Sequence, residues 1–178
     1  MKRIAALLGA AVLLVTIVPA TLAASPVKPP SQATGSIVAI AAGNPAFSTL
    51  VAAVTCADPA VLQALTSGEQ LTVFAPTNAA FAKLGLDDQN ICSALPRGAL
   101  TQILLYHVED GRHFSNSVLP KKAGQMKTID TLLGQSFKVS STGAISTTGG
   151  TSAHIVMPNI NATNGVIHVI DSVLLPAL

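Results

Sequence analysis

The chain has 178 residues, of which 49% are hydrophobic, 3% aromatic and 10% charged, against a usual charged share of about 25%. Its formal charge of +2 rests on Lys2 and Arg3, without which eight basic residues face eight acidic ones. A chain this neutral, with no Trp and one Tyr, has no basic patch to neutralise phosphates, which argues against nucleic-acid binding. The apolar content argues equally against disorder, and the length suits one domain.

Residues 1–24 read as a secretory signal: basic Lys2 and Arg3, an apolar stretch over 4–18, then Pro19 and small residues around a cleavage point after Ala23. An uncleaved anchor is the competing reading, since 4–24 approaches the roughly 20 residues that span a bilayer. Pro19, breaking the helix just before small residues, favours the signal. No second segment reaches spanning length, so the expected product is a secreted protein, extracellular or periplasmic, without stable membrane insertion. Export permits a disulfide, and two cysteines allow one pairing, Cys56 with Cys92. That bridge closes a loop of about 37 residues, rated by chain entropy at roughly 3.5 to 4 kcal/mol. Two thiols without a paired Cys motif do not make a structural zinc site.

Residues 25–35, rich in Pro and Ser, predict a flexible spacer, and 36–178 the folded domain. Apolar residues recur at three- and four-residue steps over 37–65, interrupted by Asn44-Pro45 and Asp58-Pro59. Each pair supplies an N-cap followed by Pro in the first turn, so each predicts a helix start. Residues 71–75 predict a strand ended by Pro76. Thr77 or Asn78 then caps a helix over 77–84 with Phe81 and Leu84 on one face, stopped by Gly85. Asp87-Asp88 predicts a cap or a loop, and 100–106 another helix. After Asp110-Gly111 the pattern changes to short strands over 125–131, 135–140, 144–147, 153–157 and 166–171, with Gly149-Gly150 in a hairpin. Helices first and strands later predict an α+β fold rather than a doubly wound sheet.

Three stretches carry a resemblance. Residues 71–81, LTVFAPTNAAF, resemble the first signature block of the fasciclin (FAS1) domain, and 164–176, NGVIHVIDSVLLP, resemble its second. Between them Ile103-Leu104-Leu105-Tyr106-His107-Val108 is similar to the family's tyrosine-histidine motif. The resemblance covers 36–178 and implies a β-sandwich or wedge of short strands flanked by helices, in secreted or surface-attached proteins that mediate adhesion. The leader and the short single-domain plan suit a bacterial source. The resemblance also implies binding positions at Tyr106 and His107 and at Asn159, within Met157-Pro158-Asn159-Ile160-Asn161. The sequence departs there from the family's acidic version. Where that version supplies a carboxylate, Asn159 is neutral, so a receptor that coordinates a carboxylate through a metal loses its main contact.

Read for their own chemistry, the blocks look structural. Phe74, Pro76, Thr77, Asn78 and Phe81 build a strand-to-helix turn. Gly165 precedes a strand in which His168 and Asp171 are the only polar side chains, and buried polar groups must find partners. No nucleophile elbow, phosphate loop or paired-histidine zinc motif occurs, so no catalytic residue, metal or cofactor is assigned. His107 and His113 bracket Glu109 and Asp110 and make a poor ligand set; a solvated turn is the better reading. Asn161-Ala162-Thr163 is a glycosylation sequon, incidental in a bacterial protein. Lys121-Lys122 with Lys127 is a basic cluster read as a solvated loop, with contact to an anionic polysaccharide as the sharper reading. The expected function is a monomeric, non-catalytic adhesion module binding protein or polysaccharide at a cell surface or matrix. The alternative is a carrier or sensor of a small apolar ligand.

Overall fold

A computed structural model describes residues 35–177; the expected leader, and the expected spacer up to residue 34, lie outside the described residues. Helix α1 (Ile37–Ala42) begins at Ser36, whose hydroxyl accepts from the Ala39 N–H. The two Pro-marked starts both form as expected. Asn44 caps a short 3-10 turn (Pro45–Phe47) that runs into α2 (Ser48–Cys56), and Asp58 caps α3 (Pro59–Thr66). In each case the side-chain oxygen takes one of the N–H groups a helix start leaves unpaired. Strand β1 (Leu71–Pro76) leads to α4 (Asn78–Ala82), capped by Thr77. Helices α5 (Ile91–Ala94) and α6 (Arg97–Tyr106), strand β2 (Val108–Asp110) and helix α7 (Ser115–Val118) follow. The chain closes with β3 (Met126–Asp130), β4 (Ser136–Ser140), β5 (Ala144–Thr147), β6 (Ser152–Ala162) and β7 (Gly165–Ile170).

The strands form a sheet in the order β2-β1-β7-β6-β5-β4-β3. All neighbours are antiparallel except β1 and β7, which run parallel from Leu71 beside Gly165 to Pro76 beside Ile170. That pair is buried on both faces, which explains why its sequence is almost continuously apolar. Leu71, Val73 and Ala75 of β1, with Ile167 and Val169 of β7, pack into a core under the helices. The alternate residues Phe74 and Ile170 enter a second core with Tyr106, Ile129, Phe137, Val139 and Ile145. The sheet curls around this second core until the turn after β3 meets β2, where the Leu132 N–H donates to the Val108 carbonyl at 2.8 Å. The result is the wedge with helices along one side that the sequence implied.

Three elements were not expected. Strand β2 is only three residues long, too short for an alternating pattern to show. Helices α5 and α7 are each four residues long and likewise carry no period. Strand β6 runs to Ala162, past the expected end at Met157, because β7 holds it through two register shifts, between Ile155 and Met157 and between Met157 and Ile160. Such bulges break the two-residue alternation that marks a strand in sequence.

Candidate functional site

The tyrosine-histidine pair ends α6, and both residues turn inward. Tyr106 is fully buried, its ring edge-on to Phe137 at 5.8 Å and its hydroxyl donating to the Ser136 carbonyl at 3.0 Å. His107 is 3% exposed. Its Nδ1 lies 2.7 Å from the Ile103 carbonyl, and its Nε2 accepts from the Leu174 N–H at 2.9 Å. Those two bonds fix the neutral tautomer with the proton on Nδ1. Burial pushes the imidazole down to about 4, and only the Ile103 carbonyl opposes that shift. Both side chains, expected as binding positions, are buried, and they fasten α6 to the curled sheet and to the C-terminal segment.

His168, on β7, repeats the arrangement on the opposite ring nitrogens. Its Nε2 meets the His113 carbonyl at 2.9 Å and its Nδ1 accepts from the Asn159 N–H at 3.3 Å. Its ring also lies beside Phe74, with centroids 5.5 Å apart. Burial again lowers its pKa, against the His113 carbonyl. Asn159 sits at a bulge of β6 with φ 65°, a left-handed conformation Asn tolerates better than most residues. Its Oδ1 accepts from the Ser115 N–H and its Nδ2 donates to the Ser115 hydroxyl, both at 2.7 Å, clamping β6 to α7. Asp171 accepts from the His154 N–H at 2.8 Å. Burial pushes its carboxyl up, but hydrogen bonds from the His154 N–H and Ser172, with Lys83 and His154 nearby, hold it below the usual range. Gly165 has no room for a side chain, since a Cβ there would meet the Leu71 carbonyl oxygen at 2.0 Å.

In the first block, Asn78 joins α4 to the start of α2: its Oδ1 accepts from the Thr49 N–H at 3.1 Å and its Nδ2 donates to the Pro45 carbonyl at 2.8 Å. Pro76 closes β1 in the buried parallel pair, Thr77 caps α4, Phe81 packs into the core under the helices, and Phe74 meets Phe137 edge-on at 5.0 Å. Cys56 and Cys92 form the disulfide, tying the end of α2 to α5 across a Cα separation of 5.6 Å. His107 and His113 are not brought together. The His113 Nε2 turns back to the Asp110 carbonyl at 3.1 Å, and among the described residues no group of three His, Cys, Asp or Glu is placed to hold a metal. Glu109 is half-buried, and burial raises its pKa against the pull of His113 and Lys127. Asp87 accepts from the Gln89 and Asn90 N–H groups, a local cap. Lys127 Nζ donates to the Ser117 carbonyl, while Lys121 and Lys122 are exposed. Asn161 of the sequon is half-buried, with its Oδ1 buried and unpartnered.

The fasciclin domain family model matches residues 45–176. Protein sll1483 of Synechocystis is 39% identical over 146 residues, covering 80% of this chain and 74% of its own. The chain belongs to the fasciclin family. Immunogenic protein MPB70 of Mycobacterium bovis is 36% identical over 163 residues, covering 86% of this chain and 77% of its own. A solved FAS1 domain pair from the insect cell adhesion molecule Fasciclin I has the same fold, at TM-score 0.56 and 23% identity. It covers 74% of this chain, and the chain spans about half of that pair, 46%. Fasciclin domains are generally non-catalytic, and the disulfide suits a compartment outside the cytosol.

Two surfaces of this fasciclin domain could not be located from the sequence. The bulged part of β6 exposes Val156 at 57% and Met157 at 56%, and the Asn159–Ser115 bonds tie the start of α7 to that stretch. A bulge that turns side chains outward shows only as a broken alternation. The second surface is an apolar cleft of about 350 Å³ under α1, α2 and α3, floored by Val73 and Leu104. Its lower edge is tied by Asn164, whose Oδ1 accepts from the Ile37 N–H at 2.9 Å while its Nδ2 donates to the Leu65 carbonyl at 2.8 Å. One side chain thus joins the start of α1 and the end of α3 to the β6–β7 turn. A polar residue at a turn carries no sequence signal of partners 127 and 99 residues away. Among the described residues no single helix is long and apolar enough to cross a membrane.

Proposed function

We propose that this fasciclin domain is a secreted, non-catalytic interaction module that attaches to protein or polysaccharide at a cell surface or in a matrix. The observation that carries the reading is the exposed apolar step on β6. Val156 and Met157 are the most exposed large apolar side chains among the described residues, and solvent-facing large apolar side chains set together favour a contact surface. Family membership supports it, since the insect relative is described as a cell adhesion molecule. The disulfide supports delivery to an oxidising compartment. With Asn159 spent on Ser115 and carrying no charge, attachment through this surface is apolar rather than ionic, so salt should weaken it little.

A surface-attachment assay tests the reading. Purified protein is offered to cells and envelope extracts of its own source, beside a Val156→Lys/Met157→Lys double variant whose far-UV spectrum is checked first. Wild-type attachment that persists in high salt and drops about tenfold or more in the variant is expected, corresponding to the loss of at least one well-packed contact. Failure of the wild type to attach, or attachment unchanged by the variant, overturns it.

A further inference from the structure

We infer that the cleft under α1, α2 and α3 is a binding site for an uncharged hydrocarbon chain. This goes beyond the attachment surface on β6, which lies elsewhere on the domain. The cleft volume, about 350 Å³, lies within the range of small-molecule sites, which are concave and mostly apolar. Its walls are Val38, Ala41, Val51, Val54, Val61 and Leu62 with their neighbours, over a floor of β1 and α6.

The chemistry of the occupant follows from what the walls cannot do. Two side chains in the lining carry a polar group, Thr55 and His107, and the donor of each is already used. The Thr55 hydroxyl donates to the Val51 carbonyl at 2.8 Å. The His107 nitrogens are held by the Ile103 carbonyl and the Leu174 N–H. Pro59, also in the lining, has no N–H to give. A water molecule needs two to four polar partners to settle in such a space, and these side chains offer only the acceptor side of the Thr55 hydroxyl. No charged side chain among the described residues lines the cleft, so nothing there recognises an anionic or cationic headgroup. A flexible apolar chain satisfies the walls by contact alone, with its polar end, if it has one, left at the mouth. Leu62 marks that mouth, 42% exposed on α3. Asn164 and the disulfide hold the ends of the three helices in place, so the cleft exists before anything enters it.

The test uses the protein in the form its host produces, freed of bound lipid by an organic wash and refilled with diphenylhexatriene, a hydrocarbon dye that fluoresces when shielded from water. Straight-chain alcohols from hexanol to tetradecanol then compete. Expected are one dye per chain and competition that strengthens up to about fourfold per added methylene, levelling off once the cleft is full. The alcohol should bind at least as tightly as the carboxylate of equal length. Ala41→Trp fills the cleft and should lower dye affinity about tenfold or more with the far-UV spectrum unchanged. If that variant misfolds, Leu62→Lys at the exposed mouth should weaken the dye several-fold without touching the core. Overturning results are no dye uptake, competition that keeps rising with chain length as in unspecific adsorption, a clear preference for carboxylates, or dye binding unchanged in the folded variants. Dye uptake accompanied by dimer formation in sedimentation would assign the cleft to a second copy of the chain and likewise overturn it.

Discussion

Lowering the pH from neutral should loosen this domain through His107. The ring is buried and neutral, with Nε2 accepting from the Leu174 N–H. A proton on Nε2 would set two N–H groups against each other and break the tie to the C-terminal segment. The folded value is about 4 against an ordinary 6.5. Because the folded value is the lower one, unfolding takes up a proton between the two. The full stabilisation is therefore present above about pH 6.5, and it is lost as the pH falls to about 4. At about 1.36 kcal/mol per pH unit, the difference amounts to roughly 3 kcal/mol, a large part of a stability of about 5 to 15. Urea unfolding followed by circular dichroism at steps from pH 7.5 to 4 measures it. The same titration on His107→Leu should begin about 1 to 3 kcal/mol less stable at neutral pH, because the Leu174 N–H is left unpaired. Its remaining slope should be what His168 carries in the same direction less what Glu109, with its raised pKa, carries in the opposite one. A wild-type stability that stays flat from pH 6.5 to 4, or a His107→Leu slope as steep as the wild type's, would refute the reasoning.

Reducing the Cys56–Cys92 bridge, which spans 36 residues, should lower stability by up to about 4 kcal/mol in the chain-entropy model. Thermal unfolding with and without reductant measures that loss, and intact mass should rise by two hydrogens. Gly165→Ala should cost several kcal/mol or prevent folding, since its Cβ would strike the Leu71 carbonyl oxygen at 2.0 Å. Gly98→Ala, where nothing lies within 4 Å on the helix α6, should instead be neutral or stabilising by up to about 1 kcal/mol. Denaturant midpoints of the two variants separate the close contact at Gly165 from a general effect of replacing glycine.

Much of the fold was readable because it rests on local chemistry. Asn44-Pro45, Asp58-Pro59 and Thr77 mark helix starts through bonds made within three residues. The amphipathic strands β3, β4 and β5 show their alternation directly. The motif residues were harder. Tyr106 and His107 carry the same letters whether they face a partner or the core, and only the packing of α6 against Phe137 and the C-terminal segment turns them inward. Asn159 reads as a candidate contact only through the family resemblance, which sets it at a binding position. Its clamp to Ser115, 44 residues away, exists only once β6 and α7 are adjacent.

The sequence by itself determined the neutral, aliphatic character of the domain, the single possible cysteine pairing, the helix starts and the family blocks, since these depend on composition and near neighbours. The tertiary structure decided which polar side chains are spent internally, which apolar side chains remain at the surface of β6, and where the helices stop short of filling the space above β1. Those outcomes depend on distances between residues far apart in the chain, and they arise only when the sheet curls and the helices are tied across it.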